Sequence, residues 1–506
     1  MNENIYAILS RGFPQNADTP FLILPDNEQY SYRQLEQESA RYANVLVACG
    51  LEPGDRVAVQ VDKSPAALFL YLGCVRAGLA YVPINPGYQC DEVEYFLKDA
   101  DVSVFICRPD FLEDARKLQW NSEESWTFDL GIDNTGSLIE AVRKQPDTFS
   151  TAQNAADDLA AIMYTSGTTG RSKGTMLSHR NLSSNALVLH SYWEFVPGDV
   201  ILHMLPIYHT HGLFVATHCA MLNGSPLLFE PRFDAKRALR LMPKATVLMG
   251  VPPNYAALLN ESGLTPETCE QMRLFISGSA PLLPTTFEEF RRRSGHAILE
   301  RYGMTEGGML VSNPTNGERR CGTVGFPLPG TQARIVDDQG RPVAADVIGH
   351  IQVKGENLFS GYWRMPEKTR DEFTPDDYFK TGDVGHYDRD GYLTIVGRFK
   401  DVITVDNREV YPKSIETAID LMPGVAESAV IGLSDRANGI TVAAVIAYRQ
   451  HGPRPTAEGI TSTLKESFDD FQVPGAVYFV DQLPRNGMGK VQKSVLRERY
   501  QDPINR

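Results

Sequence analysis

The stretch Tyr164-Thr-Ser-Gly-Thr-Thr-Gly-Arg-Ser-Lys-Gly174 constrains this chain more than any other. Between Thr165 and Gly174 it holds three glycines, five hydroxyl residues, one arginine and one lysine. It follows the apolar run Leu159-Ala-Ala-Ile-Met163, which reads as a buried strand. Glycines let the backbone turn its N–H groups toward an anion; the hydroxyls add donors, and Lys173 with Arg171 adds charge. A flexible linker of the same composition would need neither the lysine nor a buried strand before it. The inference is a loop that holds a polyphosphate. It is not a Walker A loop, which requires Gly, four residues and then Gly-Lys-[Ser/Thr]. Counted from Gly167, the last three places hold Ser172, Lys173 and Gly174, so two of them fail. A nucleotide-using class other than the P-loop NTPases is needed.

At 506 residues the chain is too long for one core, and two or more domains are expected. A net charge of −14 argues against a general nucleic-acid binder, so no nucleic-acid partner is expected. Any anionic ligand must instead be drawn in by local basic residues. The N-terminus lacks a basic region followed by an apolar core, so no secretory signal is expected. The run Ala66 to Val75 is too short to span a membrane, and no membrane insertion is expected. The cysteines at 49, 74, 90, 107, 219, 269 and 321 form no C-x-x-C pair, which fits free thiols and a cytoplasmic setting.

Along the chain, helical and strand signals alternate. Ser31 to Cys49 has helical periodicity with Ser31 as a cap, Gly54 to Gln60 turns into a strand, and Ala66 to Ala77 is a helix that Gly78 can end. Tyr81 to Ile84 and Val102 to Ile106 read as strands around a helix at Glu92 to Lys98. After the phosphate loop, Val200 to Leu205, Pro226 to Phe229, Ala245 to Met249 and Leu274 to Ser277 also read as strands. From about Pro327 the pattern becomes a hairpin, Gln332 to Val336 and His350 to Val353, followed by the strand Gly391 to Val396. After Gly397-Arg-Phe-Lys-Asp401 a separate α+β unit begins, with helices near Ser414 to Leu421 and Ala457 to Phe468. Its strands are Ser428 to Gly432, Val442 to Ile446 and Ala476 to Val480. The expected fold class is α/β: a large N-terminal domain of helix-covered sheets plus a small β-rich subdomain, with a mobile small α+β C-terminal domain.

Three further stretches carry chemistry. Leu299-Glu-Arg-Tyr-Gly-Met-Thr-Glu306 joins a ring able to stack on a base, a hydroxyl, and a carboxylate able to hold Mg²⁺ beside phosphates. Tyr378-Phe-Lys-Thr-Gly-Asp383 sets a carboxylate after a turn glycine, where it can accept both ribose hydroxyls. Pro484-Arg-Asn-Gly-Met-Gly-Lys490 places a lysine between glycines, free to enter a site. Singly, each reads as well as a core tyrosine, a surface turn or an exposed lysine. His203, His209 and His211 have no cysteine or carboxylate at ligand spacing, which argues against zinc. Arg291-Arg-Arg293 after Glu288-Glu289 reads as a solvated helix face.

In their order and joint presence, these stretches resemble the acyl-adenylating superfamily of AMP-forming acyl-CoA synthetases, from about Gly54 to Lys493. The resemblance implies an N-terminal adenylate-forming domain over 1–397, with 326–397 its β-rich subdomain, a hinge at 398–400 and a C-terminal domain over 401–506. It implies that Thr165, Ser166, Gly167, Thr168, Thr169, Gly170 and Lys173 clasp the phosphates of ATP. Ser279, Ala280 and Pro281 would flank the adenine with Tyr302, Gly303, Met304 and Thr305. Asp383 and Arg398 would hold the ribose, Glu306 would hold Mg²⁺, and Lys490 would act in adenylation. The catalytic set implied is Lys490, Glu306 and Thr165.

Within the superfamily the chain looks most like malonyl-CoA synthetases, on Leu205 to Phe214, Phe275 to Leu282, Glu300 to Glu306 and Gly361-Tyr-Trp-Arg-Met-Pro366. That implies malonate, ATP and coenzyme A as substrates. Arg301 would bind the second carboxylate of a dicarboxylate as a bidentate pair, with Ser279 and His209 as supporting contacts. The chain departs from the family after the hinge. Asp406-Asn407 stands where a glycine pair is usual, Glu409 where asparagine is usual, and Gly439-Ile440 where Gly-Glu is common. Asn407 can take a left-handed turn there. The departure leaves three acceptor readings open: CoA, a carrier-protein thiol or an amine. A protein that binds nucleotide and acyl ligand without turnover is the alternative from another class.

Overall fold

The computed structural model describes residues 2–120, 125–165, 172–406, 408–435, 439–449, 453–485 and 491–501. Two large sheets carry most of the first 360 residues. One has seven strands, in the spatial order Gly361–Tyr362, Lys173–Ser178, Leu159–Thr165, Ala80–Pro83, Arg56–Gln60, Val102–Cys107 and Trp126–Asp129. The other has nine, running from Phe326–Pro327 through Gly308–Ser312, Leu299–Met304, Leu274–Ser277 and Val247–Gly250 to the N-terminal pair Pro20–Ile23 and Gln29–Ser31. The strands through the middle of both sheets pair in parallel, as helical crossovers require.

The helices form where the sequence signals place them. Ser31 caps Tyr32–Ala48 through a full capping box with Gln34. Ser64 caps Pro65–Arg76, whose side chains are all buried from Ala66 to Arg76. Such a helix, apolar on every face, has to sit between layers rather than on the surface. It does: one continuous buried cluster takes Leu68, Leu72 and Tyr71 from it, Val57 and Ala161 from one sheet, and Ile201 and Ile276 from the other. No described helix is long and apolar enough to cross a membrane, and all seven cysteines are unpaired.

A four-stranded antiparallel sheet follows, ordered Gln332–Val336, Gly349–Lys354, Phe379–Tyr387 and Leu393–Arg398. The expected hairpin is present, with Gln332 opposite Lys354 and Val336 opposite His350. Beyond it, Val425–Asp435, Gly439–Tyr448 and Ala476–Val480 make a three-stranded sheet around its own two small cores. The expected strands are all there, with ends shifted by up to a few residues. The helix expected to run from Ala457 to Phe468 ends at Leu464.

Two elements were not legible. The first is the hairpin Leu299–Met304 with Gly308–Ser312, which turns the motif around Tyr302 into an antiparallel extension of the large sheet. The second is a π-helix, His211–Ala216, running into the helix Thr217–Asn223. Its Gly212 lies so close to Pro206 that a Cβ would fall 2.1 Å from the Pro206 carbonyl oxygen, so only glycine fits. One reading needs correction. Arg293 is not on a solvated face; its guanidinium donates to the carbonyls of Leu259 and Glu261 and ties down the preceding helix. Arg292, paired with Glu289, is solvated as expected.

The large sheet is pinned by a buried carboxylate. Asp199 accepts from the Arg273 Nε at 2.7 Å and from the Thr246 hydroxyl at 2.7 Å, tying three neighbouring strands at one end. Burial pushes its pKa up, but the bonds from Arg273, the Val196 N–H and Thr246 outweigh it and hold the acid below its ordinary range. Its contribution is therefore present above the ordinary aspartate pKa and lost as pH falls through the lowered native value. Asp199→Asn is expected to cost about 3 kcal/mol at neutral pH, read as a lower thermal midpoint. The gap to the parent should close on acidification; a constant gap would show that the charge contributes nothing.

Candidate active site

The three sheets meet at their ends, and the predicted residues gather there. Leu159–Thr165 and Lys173–Ser178 are antiparallel neighbours, with Thr165 opposite Lys173, so the two ends of the glycine-rich loop are held side by side. Ser166, Gly167, Thr168, Thr169, Gly170 and Arg171 lie outside the described residues. Tyr95 supports the loop's end by donating to the Ser172 carbonyl at 2.8 Å.

Lys173 sits with its ammonium 4.2 Å from the centre of the Tyr362 ring and 4.0 Å from Glu372. Burial lowers its pKa, and the nearby charges of Glu372 and Glu306 only partly offset this. Glu306 is buried and accepts from the Tyr362 hydroxyl at 3.0 Å. Four residues earlier, Tyr302 donates to Asp383 across from the four-stranded sheet. Asp383 pairs in register with Arg398, whose Nε stands 2.9 Å from its carboxylate. Burial draws the Arg398 pKa down, but Asp383, Tyr302 and Glu306 more than restore it. Lys173, Glu306, Tyr302, Asp383 and Arg398 thus form one electrostatic unit drawn from three sheets.

Ser279 follows the strand Leu274–Ser277 with φ +69°, a left-handed conformation uncommon for serine and typical of strained functional turns. It and Ala280 are half-buried, and Pro281 is exposed, along the edge near Tyr302. Gly303, Met304 and Thr305 continue the hairpin turn, half-buried. Lys490 lies outside the described residues. Among the described residues no group of three His, Cys, Asp or Glu side chains is placed to hold a metal ion. His203 is buried, with Nδ1 2.7 Å from the Lys63 ammonium and Nε2 2.9 Å from the Gly212 carbonyl, so both nitrogens are in use.

Arg301 is the outstanding group. The residue is 4% exposed, and among the described residues its Nε and Nη2 have no hydrogen-bond partner. It does not pair with Glu300, which faces the other way and accepts from the Gly322 N–H. Burial raises the Glu300 carboxyl to about 8, against the lowering effect of the Gly322 and Leu282 N–H groups. The Arg301 guanidinium lies against the bare face of Gly278, where a Cβ would fall 2.3 Å from its Cζ. Near it are further orphaned polar atoms, both ring nitrogens of His211, which is 5% exposed. Burial, Arg301 and His203 together hold the His211 ring well below 6.5, in its neutral form. His209 stands nearby in sequence with its ring 4.4 Å from Tyr208.

The motifs point to Arg301, but His211 and Tyr362 gain their place near the charged groups only from the fold. No periodicity announces a π-helix, so the direction of His211 had no sequence signal.

Two family descriptions match the chain: AMP-binding enzyme over residues 10–363 and AMP-binding enzyme C-terminal domain over 414–490. A malonate–CoA ligase of Arabidopsis thaliana is 31% identical over 94% of this chain and 85% of that one. A sulfoacetate–CoA ligase of Cupriavidus necator is 31% identical over 97% of each. The crystal structure of ATP-bound MatB from Rhodopseudomonas palustris is 48% identical over 99% of each chain and superposes with a TM-score of 0.96; the apo structure of MatB gives 0.86. The chain belongs to the AMP-binding enzyme family. Within it, the chain is an AMP-forming acyl-CoA synthetase with the α/β fold of that family, a large N-terminal and a small C-terminal domain.

A buried guanidinium without a counter-ion favours an anion strongly. Short dicarboxylates are therefore expected to raise the thermal midpoint of the nucleotide-free protein, and acetate at the same concentration is not. Arg301→Met should abolish the shift; a shift of equal size in that variant would place the anion elsewhere.

Proposed function

We propose that this protein is an ATP-dependent malonate–CoA ligase. It adenylates malonate to malonyl-AMP with release of pyrophosphate, then transfers the malonyl group to CoA with release of AMP. The observation that carries the reading is the Arg301 guanidinium, buried near neutral His211 and against Gly278, with Nε and Nη2 unsatisfied among the described residues. A dicarboxylate supplies what that pocket lacks: a second anion, one methylene from the reacting carboxylate. The malonate–CoA ligase relative supports the same substrate.

In this reading Thr165 and Lys173 hold the ATP phosphates with Ser166, Gly167, Thr168, Thr169 and Gly170. Tyr302, Gly303, Met304 and Thr305 flank the adenine with Ser279, Ala280 and Pro281, while Asp383 and Arg398 take the ribose. Arg301 and His209 hold the distal carboxylate, with the Ser279 side chain nearby. The free carboxylate of malonate attacks the α-phosphorus, the bond to the β-phosphate breaks, and pyrophosphate leaves. Two anions must approach, so positioning and charge neutralisation dominate the barrier. Lys173, Arg398 and Lys490 supply fixed positive charge. In the second half the CoA sulfur attacks the acyl carbon and AMP leaves with both bonding electrons.

Mg²⁺ fits one place. Glu306 is a buried carboxylate with one oxygen engaged by Tyr362 and the other available, the sparse protein ligation Mg²⁺ uses beside phosphates. When bound there it would neutralise phosphate charge.

The two halves imply a moving C-terminal part. The proposed division is 1–397, a hinge at 398–400 and 401–506, with Lys490 arriving for the first half and leaving for the second. The hairpin Ile403–Val405 and Arg408–Val410 follows the hinge. Its turn carries Asp406 at φ +49°, a left-handed conformation; Asn407, the residue expected to take one there, lies outside the described residues. Both new carboxylates have local partners: Asp406 stands 3.9 Å from Arg408, and Glu409 accepts from the Tyr411 hydroxyl. Their repulsion of CoA is therefore reduced, which favours CoA over a carrier-protein thiol or an amine as acceptor.

The deciding assay follows pyrophosphate with malonate and ATP, then AMP and thioester after CoA is added. Malonate-dependent signals in both steps are expected. Pyrophosphate without thioester would overturn the CoA assignment, and no malonate-dependent pyrophosphate would overturn the substrate. Arg301→Ala is expected to lower kcat/KM for malonate about 100-fold; unchanged malonate use would remove Arg301 from the reading.

A further inference from the structure

Three chain segments meet at Tyr362, and the reaction scheme so far gives it no part. The two-residue strand Gly361–Tyr362 lies antiparallel to Lys173–Ser178, with Tyr362 opposite Thr175 and Gly361 opposite Met176. The next residue extends the pairing: the Trp363 N–H donates to the Gly174 carbonyl at 2.7 Å. Tyr362 is thereby fixed alongside the strand that delivers Lys173. Gly361 sits at φ +131° with Thr369 against it, and the Thr369 hydroxyl accepts from the Tyr362 N–H at 2.9 Å. The ring is packed edge-on against Phe359, 4.9 Å between centres, and Phe359 in turn packs on Phe379. Backbone and ring are both immobilised, and the side chain is 3% exposed.

From that seat the ring and the hydroxyl address different partners. The ring face receives the Lys173 ammonium at 4.2 Å, and the hydroxyl donates to Glu306 Oε1 at 3.0 Å. The backbone repeats the link, since the Phe359 N–H donates to the Glu306 carbonyl at 2.7 Å. A glutamate carboxylate on a turn can rotate about three side-chain bonds, and a hydrogen bond from a rigid donor restricts that freedom.

We propose that Tyr362 is a positioning residue: its hydroxyl fixes the Glu306 carboxylate so that the remaining oxygen faces the nucleotide phosphates beside Lys173. The role rests on the assignment of Glu306 to the metal–phosphate contact. Burial and the Glu306 charge push the phenol far above its ordinary range, so it stays a donor through the working pH range. A hydroxyl that only filled space or satisfied itself would leave nucleotide binding indifferent to its removal.

Tyr362→Phe keeps the ring, its packing and the seat for Lys173, and deletes only the O–H. ATP affinity of the full chain, measured by calorimetry with saturating Mg²⁺ and again with chelator, separates the readings. Tyr362→Phe is expected to weaken ATP about tenfold with Mg²⁺ and to leave the chelator value within twofold. In a Glu306→Gln background the same substitution should change nothing, because the two groups act as a pair. Equal weakening with and without Mg²⁺, or an undiminished effect in the Glu306→Gln background, would overturn the proposal. If Glu306→Gln alone leaves Mg²⁺-dependent affinity intact, the Glu306 assignment falls instead. A thermal midpoint for Tyr362→Phe matching the parent excludes general loss of packing.

Discussion

A positive charge sealed away from water without a counter-ion is the constraint around which this molecule is arranged. Arg301 could be relieved by a nearby carboxylate, and the chain provides one next door in Glu300, yet strand alternation sends the two side chains to opposite faces. Burial raises the Glu300 pKa, and Arg301 keeps its unsatisfied Nε and Nη2 donors among the described residues. The cost must be carried by the rest of the fold. The large sheet, its aspartate pin at Asp199 and the fully buried helix Pro65–Arg76 are the rigid background that prevents the site from collapsing around its charge. A softer scaffold would let Arg301 find solvent or a carbonyl.

The same logic explains why the site sits where three sheets end. Parallel strands finish with their last residues pointing into a crevice, and the antiparallel hairpin at Tyr302 folds back over it. Each sheet contributes a different charge: Lys173 from one, Glu306 from a second, and the Asp383–Arg398 pair from the third. None of these groups comes from a long loop. Distances among them are therefore set by strand registers, which cannot slip by one residue without turning every side chain over.

How much of this could be read from the sequence follows from what kind of order each part has. Elements with a period were legible: the capped helix after Ser31, the strands before and after the phosphate loop, and the hairpin from Gln332 to Lys354. Chemistry packed into short motifs was legible as candidates, which is how Lys173, Glu306, Asp383 and Arg301 enter the proposed site. The part that escaped depends on tertiary direction. Arg293 looked solvated because its neighbours Arg291 and Arg292 are charged, but it reaches the carbonyls at the end of another helix. Tyr362 is one aromatic residue in a two-residue strand, and only its partners give it meaning. In the turn after Val405, the left-handed φ of Asp406 had no signal in the sequence.

The π-helix His211–Ala216 has a further consequence. A π-turn is an α-helix with one residue too many, and each residue turns a helix by about 100°. Removing any one residue between Gly212 and Ala216 would restore ordinary winding and swing His211 away from Arg301, with every ligand-facing side chain unchanged in kind. The placement of His211 near Arg301 is thus encoded partly in chain length, which a residue-by-residue comparison would not show.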